Sequence, residues 1–333
     1  MNEKLTIDDI AAALGVSKTT VSRAISGKGR ISPETIRRVQ QYIDEHGYTP
    51  NHQARGLAKS RTFNIGVVCP VDYELFDLQY FHRCLQGISQ VTGEAGYDIL
   101  ISMVAGTDVA PLRRLVENHK ADGVILTRTM FDDPAADYLK KSGLPFLVIG
   151  TSPDPDLVQV DNDHLAGCCE LTQVLLGKGF RRLALLGGDG THTITATRRR
   201  GFELAYERLG LRPDPSLIYM DVSGVEQTEA VVKDVTAKKA DCLVCMDEKL
   251  TGLAQTACRQ LGVVIPRDLR LASFYNSSFL QHSVPAVTAL DIDDKNLGSV
   301  AARELLSMID GNEPQNRLVR RYQVILREST AVS

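Results

Sequence analysis

The sequence lacks any apolar run close to the roughly 18 residues that a membrane-spanning helix requires. It also lacks the apolar segment of a secretory signal peptide, because Met1 is followed directly by Asn2, Glu3 and Lys4. These absences exclude the usual membrane and secreted classes. They predict a cytoplasmic protein with no membrane partner.

Signatures of catalytic, metal and nucleotide sites are missing as well. The seven His show no H-E-x-x-H or similar spacing, and the chain has no G-x-G-x-x-G motif, Walker lysine or G-x-S-x-G elbow. Cys242 and Cys245 form a C-x-x-C pair, but they lie in a predicted buried strand, where residues three apart point to opposite faces. Seven Cys, mostly in apolar runs, are typical of buried reduced thiols. We therefore predict no enzyme activity, no catalytic residue, no metal site and no cofactor.

Length and charge distribution indicate more than one domain. The 333 residues, 43% of them hydrophobic, exceed what one compact domain usually contains, so two or three domains are expected. Residues 1–61 have ten Lys and Arg against six Asp and Glu, a net charge of +4, whereas residues 62–333 have 28 basic and 35 acidic residues, a net charge of −7. A basic head on an acidic body indicates that the head binds a polyanion, although solubility alone would also produce such an imbalance.

Three short helices are predicted in the basic head. Thr6, Ser17 and Ser32 are suitable N-cap residues, each followed by apolar residues at helical spacing. Gly15 and Gly47 end the first and the third helix, and the second extends to about residue 25. Two short helices around a glycine turn are typical of a helix-turn-helix.

The second helix of a helix-turn-helix lies in the major groove of DNA, where its first residues contact base edges. In this register Lys18, Thr19 and Arg23 point outward, and Arg23 suits the O6 and N7 edge of guanine. Ser17 and Ser22 are suited to phosphates. Each residue alone is equally compatible with a solvated helix face, whereas the set in this register favours DNA.

The second helix and the end of the head match a family signature. Residues Val16-Ser17-Lys18-Thr19-Thr20-Val21-Ser22-Arg23 fit V-S-x-x-T-V-S-R, and Gly47-Tyr48-Thr49-Pro50-Asn51 fits the segment that leads to a hinge. In these motifs the chain resembles the lactose-repressor (LacI/GalR) family of bacterial transcription regulators. In coarser form the resemblance covers essentially the whole chain, and it implies a helix-turn-helix domain over 1–49 and a hinge helix or linker over 50–61.

By this resemblance the hinge helix orders only on operator DNA, where Leu57 enters the minor groove with Arg55 beside it. An eight-residue helix containing Gly56 is too short to be stable alone in water, so a partner helix and DNA must stabilise it. An ordinary flexible linker is the alternative. The predicted DNA-binding residues are Ser17, Lys18, Thr19, Thr20, Ser22, Arg23, Asn51, Ala54, Arg55 and Leu57.

From residue 62 onward, apolar runs of four to six residues alternate with amphipathic stretches. The runs lie at 65–69, 99–102, 123–126, 146–149, 183–186, 243–245 and 269–273. Continuous apolarity indicates strands buried on both faces, hence parallel α/β sheets covered by helices. The resemblance implies two Rossmann-like lobes of periplasmic-binding-protein-like type I, with a final strand at 323–326 in the second lobe. The first lobe would contain 62–161 and 291–319, and the second 162–290 and 320–333.

Polar and aromatic residues follow several predicted strands, at the positions where open α/β sheets bind ligands. By resemblance to the family's R-x-x-G helix, Arg198 reaches into the cleft, whereas Arg199 and Arg200 point to solvent. Met246 departs from the family's usual Asn, and Asn276 from its usual Asp, so the effector is held differently from that of the lactose repressor. The predicted effector-binding residues are Asp72, Phe76, Arg128, Phe131, Asp161, Arg198, Asp247, Tyr275 and Asn276.

Aromatic side chains suit the packing of sugar rings, although each is also compatible with an ordinary core position. Phe76, Phe131 and Tyr275 are the candidates, and the segment 71–79 is expected to close over the ligand. We predict a homodimeric repressor that binds a roughly palindromic operator and a saccharide effector; a purine or nucleoside is the second choice. A solute-binding transport protein would need export, and an enzyme on this fold would need catalytic groups that were not found.

Overall fold

The computed structural model describes residues 5–26, 29–48, 61–71 and 79–332, and the chain divides into two units between residues 62 and 63. Within these stretches no helix has both the length and the apolarity needed to cross a bilayer. Six predicted site residues lie outside the described part of the chain: Asn51, Ala54, Arg55, Leu57, Asp72 and Phe76.

The N-terminal unit contains three helices, α1 (Ile7–Leu14), α2 (Lys18–Ser26) and α3 (Pro33–His46). Thr6 begins α1 with a capping box, because its hydroxyl accepts the N–H of Asp9 while the Asp9 carboxylate accepts the N–H of Thr6. Gly15, at φ 66°, ends α1 in the left-handed conformation and starts the turn to α2.

One apolar side of each helix forms the core of this unit. Helices this short are marginal alone in water, so their shared core holds α2 against α1 and α3. The predicted helix-turn-helix is confirmed. The buried core residues are Ile10, Ala11, Val21, Ala24, Val39 and Ile43.

The C-terminal unit contains two six-stranded sheets. The first has strands β1 (Asn64–Pro70), β2 (Asp98–Val104), β3 (Gly123–Leu126), β4 (Phe146–Ile149), β5 (Gln159–Asn162) and β11 (Arg317–Val319). The second has strands β6 (Leu183–Leu186), β7 (Ile218–Tyr219), β8 (Cys242–Cys245), β9 (Arg270–Ser273), β10 (Thr288–Ile292) and β12 (Tyr322–Ile325). Their orders are β11-β5-β4-β3-β1-β2 and β12-β10-β9-β8-β6-β7, parallel except for β12, which is antiparallel to β10.

Helices cover both faces of each sheet and complete two lobes. The first lobe has α4 (Gln79–Glu94), α5 (Ala110–Glu117), α6 (Pro134–Ser142) and α12 (Asp294–Ile309). The second lobe has α7 (His164–Gly177), α8 (Thr193–Arg208), α9 (Gly224–Ala237), α10 (Glu248–Gln260) and α11 (Ser278–His282). The predicted fold class is therefore confirmed, and all seven predicted apolar runs are strands within two residues at each end.

The chain passes between the lobes three times. The crossings follow β5, β10 and β11, and they lie next to one another where these strands end. Asn162 pairs with Val319 in the first sheet, and Asp291 pairs with Gln323 in the second. These two strands extend one and two residues past the boundaries expected after residues 161 and 290. Asp161 lies inside β5 rather than after it.

Two glycines allow α4 and α12 to approach closely. A Cβ atom at Gly87 would lie 1.9 Å from the carbonyl oxygen of Lys295, and one at Gly298 would lie 2.1 Å from that of Cys84. Any larger residue at either position must push the backbones apart.

We expect Gly298→Ala to lower the free energy of unfolding by about 2 kcal/mol, because the clash outweighs the gain in helix propensity. Urea denaturation measures this. Gly93→Ala in α4 is the matched control, since a Cβ atom there meets nothing within 4 Å. This variant should raise the free energy of unfolding slightly. Equal stabilities of the two variants would contradict the close packing.

Candidate DNA-binding helix and effector-binding cavity

The predicted DNA-reading face of α2 is open to solvent. The Ser17 hydroxyl accepts the N–H of Thr20 at 3.1 Å, so it caps α2, and Thr20 is half-buried. The Lys18 ammonium lies 2.5 Å from the Asp8 carboxylate in an exposed ion pair. The exposed residues of the predicted set are Ser17, Lys18, Thr19, Ser22 and Arg23.

Gly29 gives the Arg23 side chain its room. Gly29 has φ 97°, and a Cβ atom there would lie 3.2 Å from Cδ of Arg23. The aliphatic part of Arg23 therefore lies against position 29. Glycine is favoured there for two reasons, the backbone conformation and this contact. No sequence pattern predicts this contact, because it joins α2 to a residue beyond the end of the helix.

A cavity of about 130 Å³ lies between the two lobes of the C-terminal unit. Its wall combines rings and aliphatic side chains with charged groups from both lobes, which suits a ligand that is partly apolar and partly polar. Five predicted effector-binding residues line it: Arg128, Asp161, Arg198, Asp247 and Tyr275.

The structure does not bring Phe131 and Asn276 to the cavity wall. Phe131 is 50% exposed, and its N–H donates to the carbonyl oxygen of Thr191 in the second lobe. The Asn276 amide donates to Asp291 at 2.7 Å and accepts from Arg327 at 3.0 Å. Tertiary packing thus turns Asn276 toward β10 and the C-terminal segment, although it follows β9 as expected.

Arg198 projects from α8 into the cavity. Its Nη1 donates to the carbonyl oxygen of Met246 at 2.6 Å, which fixes the guanidinium, and its buried Nε has no partner among the described residues. Arg199 and Arg200 are exposed, as predicted, and they pair with Glu203 and Glu207 on the same helix.

Asp161 is the buried acid of the cavity. Its Oδ2 accepts the Thr151 hydroxyl at 2.5 Å, and its Oδ1 accepts the N–H of Asn162 at 2.8 Å. Burial raises the pKa of Asp161 to about 6, against the opposing effects of these hydrogen bonds and of the Arg198 charge. At pH 7 and above Asp161 is therefore mainly ionised, and in that form it accepts further hydrogen bonds.

Other wall residues were not predicted. His164 lies two residues beyond β5, so the rule that ligands bind at strand ends would have found it. Tyr80 and Phe81 are in the first turn of α4, and Ile194 in that of α8, where no sequence pattern separated them from core residues.

Tyr275 connects the cavity to the other lobe. Its ring lines the wall, and its hydroxyl donates to Oδ2 of Asp294 at 2.6 Å, at the start of α12. Burial raises the pKa of Asp294 to about 7, although the Tyr275 hydrogen bond opposes this. One cavity residue is thus joined directly to a segment that crosses between lobes.

A second connection, which we call the Gln79 clasp, consists of Gln79, Glu248 and Ser278. The N–H of Gln79 donates to Oε1 of Glu248 at 2.8 Å, and the N–H of Ser278 donates to the side-chain oxygen of Gln79 at 3.0 Å. The Gln79 amide nitrogen in turn donates to the Ser278 hydroxyl. Because the clasp does not line the cavity, it joins the lobes without contacting a ligand held there.

We expect Gln79→Ala to lower the exchange protection of the Ser278 amide at least about fivefold, because that N–H loses its acceptor across the lobes. Hydrogen exchange of the segment containing Ser278 measures this. Gln90→Ala is the control, since Gln90 lies on the same helix and donates within it, to Glu94. Unchanged protection in Gln79→Ala would show that the clasp is not formed.

The described residues contain no group of His, Cys, Asp and Glu suited to a metal ion. Cys242 packs in the same core as Cys168, whereas Cys245 packs in the core of Cys258 on the other face of the sheet. The interpretation of the C-x-x-C pair as a strand segment is therefore confirmed.

Comparison with known proteins agrees with both units. Residues 6–51 match the model of bacterial regulatory proteins of the lacI family, and residues 172–330 match the periplasmic binding protein-like domain. The regulator MalR of Streptococcus pneumoniae is 30% identical over 330 residues, which cover 96% of this chain and 97% of MalR. The chain belongs to the LacI family. Being a LacI-family member, it is a DNA-binding transcriptional regulator and not an enzyme.

Other LacI-family members match along nearly the whole chain. The regulator CelR of Thermobifida fusca is 28% identical over 332 residues, covering 97% of this chain and 98% of CelR. A solved CelR–cellobiose complex has a TM-score of 0.73 at 26% identity, over 98% of this chain and 99% of that one. The lac repressor dimer bound to operator has a TM-score of 0.79 over 99% of this chain and 100% of that one; at 20% identity it supports the fold alone.

Proposed function

We propose that this LacI-family regulator is a homodimeric repressor whose operator affinity is controlled by a saccharide bound in the cavity between the lobes. The observation that carries the proposal is the cavity wall, where Arg198 and Asp161 provide a fixed donor and a fixed acceptor beside the rings of Tyr80 and Tyr275. Paired donors and acceptors suit hydroxyl groups, and aromatic faces suit the C–H faces of sugars.

The relatives support a saccharide. CelR has been solved with cellobiose, and one structural neighbour carries the name of a probable maltose operon repressor. The cavity wall of this chain contains Met246, whose side chain offers only apolar contact. The sugar and its orientation in the cavity are therefore expected to differ from those in the relatives.

For control of DNA, the effector must bind one arrangement of the lobes more tightly than the other. The C-terminal unit begins at Phe63, two residues after the end of the segment 50–61 that is predicted to be the hinge. A change in the angle between the lobes would alter the spacing of two hinges in a dimer, and therefore the fit of two α2 helices to the half-sites of a palindrome.

Two measurements test this function. Selection from a randomised duplex library should enrich a palindrome, and thermal-shift screening of neutral and acidic sugars should raise the melting temperature with at least one. That sugar should then change the dissociation constant of the selected palindrome. Failure to enrich any palindrome would contradict the DNA-binding role, and a screen without any shift would contradict the sugar.

A purine or nucleoside is the competing effector, because Tyr80, Phe81 and Tyr275 place three rings at the cavity wall. Hypoxanthine, guanine and adenosine belong in the same screen. Stabilisation by one of them, without stabilisation by any sugar, would establish this alternative.

A further inference from the structure

Two buried nitrogen atoms of the cavity wall have no hydrogen-bond partner among the described residues. They are Nδ1 of His164 and Nε of Arg198. His164 is only 5% exposed, so water does not compensate fully for the missing bond. Because an unpaired buried polar atom costs free energy, these two side chains would gain from hydrogen bonds to a molecule bound in the cavity that they line.

The Arg198 charge acts on both His164 and Asp161, and all three side chains line the cavity. Burial, together with the Arg198 charge, lowers the pKa of His164 well below its usual value, so the imidazole is neutral. A neutral imidazole has one N–H and one lone pair, a guanidinium only donates, and a carboxylate only accepts. The wall therefore presents all three kinds of hydrogen-bonding group.

This combination distinguishes between kinds of ligand. A hydroxyl accepts from Arg198 and donates to His164 or Asp161 at the same time, and two adjacent hydroxyls satisfy all three groups. A ligand carboxylate or phosphate only accepts, and it would place a negative charge beside the ionised Asp161.

We propose that His164 is a specificity-determining residue, which together with Arg198 and Asp161 binds adjacent hydroxyl groups of a neutral carbohydrate and disfavours its acidic counterparts. The inference rests on the proposed function, because it states which carbohydrates the cavity accepts.

The test uses the full chain with cellobiose and maltose as neutral probes and with the corresponding disaccharides that carry a glucuronate unit as acidic probes. Calorimetric titration should show that at least one neutral probe binds about tenfold or more tightly than its acidic counterpart. His164→Ala should lower the affinity for that neutral probe at least about tenfold, because one polar group of the ligand loses its partner. His164→Asn retains a donor and an acceptor and should lose less.

Two further variants control for the bulk of the side chain and for the loss of an imidazole elsewhere. His164→Phe preserves bulk without nitrogen atoms and should lose binding as His164→Ala does. His82→Ala removes an exposed imidazole from α4 and should bind as the unmodified chain does.

The outcomes separate this inference from the function on which it rests. Unchanged affinity in both His164→Ala and His164→Phe, or equal affinity for the acidic counterpart, would overturn the role of His164 while sugar binding stands. If neither cellobiose nor maltose binds but an acidic probe does, the preference for neutral carbohydrates is wrong. If none of the probes binds the unmodified chain, the inference fails, and the wider sugar screen decides the proposed function.

Discussion

Arg198→Ala is expected to weaken effector binding about 100-fold while the chain remains folded. Arg198 lines the cavity, its guanidinium is fixed by its bond to Met246, and its buried Nε has no partner among the described residues, so its loss is expected to leave a ligand oxygen without a donor. Truncating one partner of a buried charged hydrogen bond costs about 2–5 kcal/mol, and about 1.4 kcal/mol corresponds to a tenfold change in affinity. Calorimetric titration with the sugar from the thermal-shift screen measures the change.

Two variants control for charge and for the helix. Arg199→Ala removes an exposed guanidinium from the same helix and should bind the effector normally. Arg198→Lys keeps the positive charge but loses the planar fork, so an intermediate affinity is expected. Normal effector affinity in Arg198→Ala would mean that the ligand binds outside this cavity.

Arg23→Ala is expected to weaken binding to the selected palindrome about 10- to 100-fold while changing binding to random DNA little, since one bidentate base contact is worth about 1–3 kcal/mol of discrimination. Arg23 is exposed on α2, and the aliphatic part of its side chain lies against Gly29. Fluorescence anisotropy with the palindrome and with a scrambled duplex measures both affinities.

Arg37→Ala is the matched control, because it removes an exposed guanidinium from α3 of the same unit. Arg37→Ala should lower the affinity for both duplexes equally or leave both affinities unchanged. Equal losses on both duplexes in Arg23→Ala would assign Arg23 to the phosphate backbone instead of a base.

Local chemistry explains which parts of the fold were predictable. Thr6 and Ser32 cap helices through bonds to residues three positions later, and β3, β4 and β6 are uninterrupted apolar runs, so short segments specify them. The short strands β7 and β11 lack such runs, and they form because a neighbouring strand is already in place.

The site was predictable only in part, because side-chain direction depends on distant partners. Arg128 and Asp247 follow strands and line the cavity, whereas Asn276 follows a strand and turns to Asp291 and Arg327 instead. The unpaired nitrogen of His164 appears only when the packing around it is known. Sequence rules locate the edge of the sheet where a ligand binds, and tertiary contacts decide which side chains meet it.

The three adjacent passages of the chain between the lobes restrict how this protein can respond. Three adjacent crossing segments oppose twisting and shearing of one lobe against the other, so bending is the motion that they oppose least. Under the function proposed above, every effector would act on DNA through this one bend, so chemically unrelated molecules that favour the same bend are expected to change operator affinity in the same way. Under the same function, a close analogue that favours a different bend is expected to act as an antagonist.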